Sequence, residues 1–119
     1  MDTARDRGPR TVNIEPSERR ESRNVRIPNL LGLHARPAAD IVKLTSRYAS
    51  DIFLAKGDLE VNGKSIMGVM MLAAECGVVL RVSASGPDSV EAVEALVALV
   101  KTGFGEELAE PSMWEDDDS

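Results

Sequence analysis

Gly32-Leu33-His34-Ala35-Arg36-Pro37-Ala38 is the stretch on which the reading of this chain turns. Proline is tolerated in a helix only in its first turn, where the missing N–H has no intrahelical partner to lose. A helix must therefore start just before Pro37, and the run Ala38, Ala39, Ile41, Val42, Leu44 carries it on. His34, the only histidine in the chain, falls at or beside the helix N-terminus. Backbone N–H groups are free there and the helix dipole is positive. Such a position suits an anion, and phosphate in particular. The amides expected to serve it are those of Ala35 and Arg36, and Arg36 adds a fixed charge with a forked donor geometry. A lone histidine in a small protein is more often a surface or capping residue. Gly32 before it, which permits a sharp turn or close approach, and Arg36 and Pro37 after it favour chemistry. Imidazole, free amides and guanidinium together suggest a histidine that carries a phosphoryl group.

Outward from this stretch, Val25-Arg26-Ile27 alternates as a strand and Pro28 limits its ladder. The first helix is expected from Ala35 to Tyr48 or Ala49, with Ala38, Val42, Thr45 and Ala49 on one buried stripe beside Ile41 and Tyr48. Asp51–Ala55 reads as a strand, Lys56-Gly57-Asp58 as a turn and Leu59-Glu60-Val61 as the returning strand of a hairpin. Ser65 is a good N-cap for a short helix from Ile66 to Ala73 or Ala74. That helix is apolar nearly all round, and a domain this small cannot bury all of it. Ile66, Met67 and Met70 are therefore expected to form an exposed, adaptable protein-binding patch. Val78–Ala84 is the clearest strand. Ser85-Gly86-Pro87-Asp88 opens a last helix with Val90, Val93, Val97, Val100 and Phe104 on one face. The order β-α-β-β-α-β-α implies an α+β, open-faced β-sandwich with its helices on one face of a four-stranded sheet.

One domain is expected at residues 23–105, with a disordered arm at 1–22 and an acidic disordered tail at 106–119. The net charge of −6 belongs to that tail: residues 24–104 hold eight basic and eight acidic groups, whereas 105–119 hold seven acidic and no basic ones. A balanced domain argues against nucleic-acid binding. No stretch is long and apolar enough for membrane insertion. A single cysteine, Cys76, and a polar start fit a cytoplasmic protein.

Three segments carry a family resemblance. Gly32–Ala38 resembles the active-site signature of HPr, the histidine-containing phosphocarrier of the phosphoenolpyruvate-dependent sugar phosphotransferase system. Asn62-Gly63-Lys64-Ser65-Ile66-Met67-Gly68-Val69-Met70 resembles the family's regulatory-serine motif, and Val82–Asp88 its last strand and helix entry. They occur in the family's order, across roughly Asn24 to Phe104. The resemblance implies an antiparallel sheet with three helices. It implies phosphorylation of His34 at Nδ1 by enzyme I, transfer to an enzyme IIA domain, and Arg36 as electrostatic helper. It also implies that an HPr kinase/phosphorylase acts on Ser65 in some bacteria. No cofactor is implied, and a monomer is expected. Met70-Met71-Leu72 and the ending Lys101–Glu107 resemble to some degree the nitrogen-related branch, a regulatory alternative to sugar transport, whereas the regulatory-serine segment is more similar to the sugar branch.

Other classes fit less well. Gly63-Lys64-Ser65 imitates the end of a P-loop, but that motif needs glycine at position 58, which is Asp. One histidine and one cysteine, far apart in sequence, give no metal cluster, and no nucleophile-elbow pattern is present. A plain binding module built on the Ile66–Met71 patch would not need His34.

Overall fold

The structure, a computed structural model, describes residues 20–110. Its elements are β1 (Arg20–Arg26), α1 (Ala35–Thr45), β2 (Asp51–Lys56), β3 (Leu59–Asn62), α2 (Ile66–Met71), β4 (Val79–Ser85) and α3 (Ser89–Lys101), followed by a 3-10 turn at Gly103–Gly105. The strands form one sheet in the order β1-β4-β2-β3, with every pairing antiparallel. Three helices pack on it, giving the open-faced α+β sandwich that the order of elements implies.

Alternation along the strands sets the core. Leu80, Val82 and Ala84 of β4 point inward with Ile52 and Leu54 of β2. They meet Ala38 and Ile41 of α1, Val69 of α2 and Val93, Leu96, Val97 and Val100 of α3 in one buried cluster. The core is aliphatic, closed at one end by Phe104. Each large side chain taken fully out of water there contributes about 1.5–3 kcal/mol.

Several boundaries differ from the sequence reading, each for a tertiary reason. β1 begins at Arg20 because its polar residues find ladder partners in β4 out to the pair Arg20↔Ser85. Helix α1 stops at Thr45 rather than Tyr48 or Ala49. The next residues are drawn away by Asp88, whose carboxylate accepts from the Ala49 amide (2.9 Å), the Ser50 amide (2.9 Å) and the Ser50 hydroxyl (2.6 Å). The Ser50 hydroxyl first, then the Ala49 amide, hold Asp88 below the usual carboxylate range. Ala49 is accordingly exposed and outside the stripe, and Val90 lies exposed on the rim of the α3 face.

The C-terminal limit also moves. The Leu30 amide donates to Glu107 O (3.0 Å) and the Ala109 amide to Pro28 O (2.8 Å), so residues 106–109 belong to the folded unit. The folded unit thus runs past 105 at one end and starts before 23 at the other. The rest of the expected disorder at 1–22 and 106–119 falls on residues 1–19 and 111–119, outside the described residues. Among the described residues no helix is long and apolar enough to cross a membrane.

Candidate functional site: an imidazole at the entrance of α1

The loop that delivers His34 is fixed from both sides. Gly32 has φ +70°, and a Cβ there would stand 2.6 Å from Ala74 O and 2.9 Å from Glu75 Cα. Only glycine fits so close a passage in that conformation. The Leu33 amide donates to Ala74 O at 2.9 Å, tying the loop to the chain just after α2. Buried Asn29 adds a bond from Nδ2 to Gly32 O at 2.9 Å. His34 then serves as N-cap residue of α1 in extended conformation, with its side chain making no cap bond. The first intrahelical bond runs from the Ala38 amide to His34 O at 3.0 Å. The amides of Ala35 and Arg36 therefore precede any intrahelical acceptor, and Pro37 has none to satisfy.

The imidazole is partly open, its side chain 39% exposed. Nε2 lies 2.8 Å from Glu106 Oε2. The same oxygen pairs with Arg36 Nη1 at 3.1 Å, while Asn29 Nδ2 donates to Glu106 Oε1 at 3.0 Å. Arg36 Nη1 also reaches Phe104 O at 3.3 Å. The Glu106 side chain is only 12% exposed. Burial pushes its carboxyl up, but the hydrogen bonds from Asn29, His34 and Arg36 and the charge of His34 outweigh this and hold it below its ordinary value. Glu106 is thus a carboxylate at neutral pH.

That protonation state fixes the imidazole's chemistry. A carboxylate can only accept, so Nε2 carries the hydrogen of the 2.8 Å bond. In the neutral ring the lone pair is then on Nδ1, for which no hydrogen-bond partner exists among the described residues. Helix entry, guanidinium and imidazole come together as the sequence suggests, with one difference. Arg36 does not touch the ring; the two meet through Glu106.

Glu106 and Asn29 are the residues that sequence reasoning missed. In the sequence Glu106 is one residue of an acidic tail, where nothing in composition separates it from Glu107 and Glu110. Its only signal is its position directly after Gly103-Phe104-Gly105. Asn29 reads as an ordinary loop residue, although it is fully buried.

The second group of expected residues lies on α2. Ser65 is its N-cap, its hydroxyl accepting from the Gly68 amide at 3.0 Å. Ile66, Met67 and Met70 are exposed as expected, and Met71 joins them; Met67 and Met71 are 73% and 66% accessible. Only Val69 and Leu72 of this segment enter the core. Leu31, also exposed, precedes His34 in a loop bonded to Ala74. This path carries the apolar patch toward the imidazole's loop.

Comparison with known proteins identifies the family. A family model described as "PTS HPr component phosphorylation site" matches residues 21–102. Phosphocarrier protein HPr of Treponema pallidum is 48% identical over 85 residues, covering 71% of this chain and 97% of its own. The crystal structure of HPr-C-His from Thermoanaerobacter tengcongensis superposes with a TM-score of 0.71 at 46% identity, over 74% of this chain and 99% of that one. The Bacillus subtilis catabolite repression protein Crh, seen as a domain-swapped dimer, aligns with a TM-score of 0.58 at 46% identity, over 66% of this chain and 88% of its own. With the match spanning the imidazole, the helix it caps and the sheet behind them, the chain belongs to the HPr family, phosphocarrier proteins of the phosphotransferase system rather than stand-alone catalysts.

Proposed function

We propose that Nδ1 of His34 accepts a phosphoryl group from phosphoenolpyruvate-charged enzyme I and passes it to an enzyme IIA domain. The observation that carries this reading is the 2.8 Å contact between Nε2 and Glu106, which leaves the other ring nitrogen with a lone pair and room to react. The N–P bond forms from that lone pair as the bond to the donor breaks, and the donor group keeps the electron pair. Arg36 and the amides of Ala35 and Arg36 meet the charge that arrives on the phosphoryl oxygens. These contacts orient the group without burying it, which suits a carrier that must give it up again. The exposed Ile66, Met67 and Met70 form the docking surface for both partners. We take the protein to act as a cytoplasmic monomer in sugar phosphotransfer; the nitrogen-branch alternative would show as charging by a nitrogen-branch enzyme I alone.

Incubation with phosphoenolpyruvate and enzyme I, followed by mass measurement, tests this. The expected result is a single acid-labile, base-stable phosphate on the native chain and none on His34→Ala. A phosphate that persists in His34→Ala would overturn it.

Ser65 is proposed as a regulatory site for an HPr kinase/phosphorylase. A phosphate there adds about two negative charges beside Ile66 and Met67. Ser65→Asp is accordingly expected to weaken partner binding and slow transfer from enzyme I while the fold survives, since aspartate also caps helices. Unchanged affinity and unchanged transfer would remove Ser65 from the scheme.

A further inference from the structure

A feature remote from phosphotransfer is a groove of about 360 Å³ between α1 and α3. Leu44 of α1 and Ala95, Ala98 and Leu99 of α3 supply its apolar lining, and the cations Lys43 and Arg47 border it. The helices run in opposite directions, since Arg36 at the start of α1 reaches Phe104 O beyond the end of α3. Thr102 therefore marks one end of the groove, directly before the 3-10 turn, and Ala95 and Arg47 mark the other.

We propose that this groove is the docking site for the chain's own C-terminal residues 113–118, with Trp114 on Leu44 and Leu99 and the acidic run Glu115–Asp118 along Lys43 and Arg47. Three observations point to this occupant. The first is where the tail sets out. Bonds from Leu30 to Glu107 and from Ala109 to Pro28 pin residues 107–109. Leu108 Cδ2 lies against Gly103 so closely that a Cβ there would overlap it. The tail thus sets out from beside Pro28, with Leu108 reaching Gly103, the residue after Thr102 at the near end of the groove.

The second is length. From Leu108 to Trp114 an extended chain covers about 20 Å, whereas Ala95 to Thr102 spans about 10 Å along α3. The third is the order of chemistry. The tail presents Met113-Trp114 first and Glu115-Asp116-Asp117-Asp118 after, with no basic residue. From the Thr102 end the groove presents Asp40 and Leu99, then Lys43 and Leu44 beside Ala98, and it ends at Arg47. Asp40, the one acidic group lining it, sits toward the start of α1, where it faces the aromatic part of the tail and not the acidic part. A tryptophan brings about 150–250 Å² of surface to such a site.

Trp114 is the only tryptophan, so its fluorescence reports its own surroundings. In the full, unphosphorylated chain its emission is expected to be blue-shifted and shielded from acrylamide compared with the same protein in urea. Both the shift and the shielding should be lost in Lys43→Glu/Arg47→Glu, and equally in Asp116→Lys/Asp117→Lys/Asp118→Lys. Combining the two sets should restore them. The second set leaves the sequence of residues 20–110 unaltered, and circular dichroism checks the fold of both sets. Raising salt to about 1 M, where the screening length falls to about 3 Å, should weaken the contact. An emission as open as in urea, or shielding that survives both sets, would overturn the proposal. So would shielding that disappears on dilution, because the occupant would then be the tail of a second copy.

Discussion

Arg36→Ala is expected to slow phosphoryl transfer onto the protein by about 10²-fold, the scale of losing one hydrogen-bond donor to developing charge. In the resting site the guanidinium is already paired, sharing Glu106 Oε2 with the imidazole. In the proposed transfer to Nδ1, Arg36 is the cation beside the ring among the described residues, 61% exposed and able to turn from Glu106 toward the incoming charge. The amides of Ala35 and Arg36 remain in the variant, so transfer should slow but not vanish. Arg36→Lys should fall between the two, since it keeps the charge but not the fork. The measurement is the rate of phosphohistidine formation at fixed enzyme I, with unfolding by urea as a control. An exposed side chain should cost little stability, so a slow but fully stable Arg36→Ala protein is the expected combination. A normal rate would mean that the helix entrance alone carries the charge.

Gly32→Ala is expected to cost about 2–4 kcal/mol in urea unfolding, through left-handed strain and a collision with backbone that cannot move aside. The added Cβ would sit 2.6 Å from Ala74 O, the acceptor of the Leu33 amide. Relief of that contact must move the loop, and His34 with it, so transfer should fall along with stability. Gly57→Ala is the control. Its φ of +57° imposes a similar backbone penalty, but nothing lies within 4 Å of the new Cβ. It should cost only the strain, about 1–2 kcal/mol, and leave transfer untouched. Equal losses in the two variants would show that the close passage beneath His34 is not what requires glycine.

Much of this arrangement could be read from local signals, because local physics decides it. Pro37 dates the start of α1, the alternation in Val79–Ser85 identifies β4, and Ser65 announces α2. What escaped was set by partners distant in sequence. The residues after Thr45 have helical character, and only Asp88, reaching back to the Ala49 and Ser50 amides, ends α1 there. The polar residues at the start of β1 look like linker until β4 gives them a ladder. Glu106 is the sharpest case. As one of a run of carboxylates it reads as solvated tail, yet Asn29, His34 and Arg36 converge on it. The apolar patch on α2 is legible in kind but not in extent. Which methionine of Met70 and Met71 stays outside depends on how a six-residue helix lies on the sheet, and both do.

The most direct measurement is a ¹⁵N spectrum of the His34 ring in the full chain, recorded before and after charging by enzyme I. Held by Glu106, the neutral ring should carry its hydrogen on Nε2, and after charging the phosphorus coupling should appear at Nδ1. A hydrogen on Nδ1 in the resting protein, or phosphorus on Nε2 in the charged one, would contradict the account.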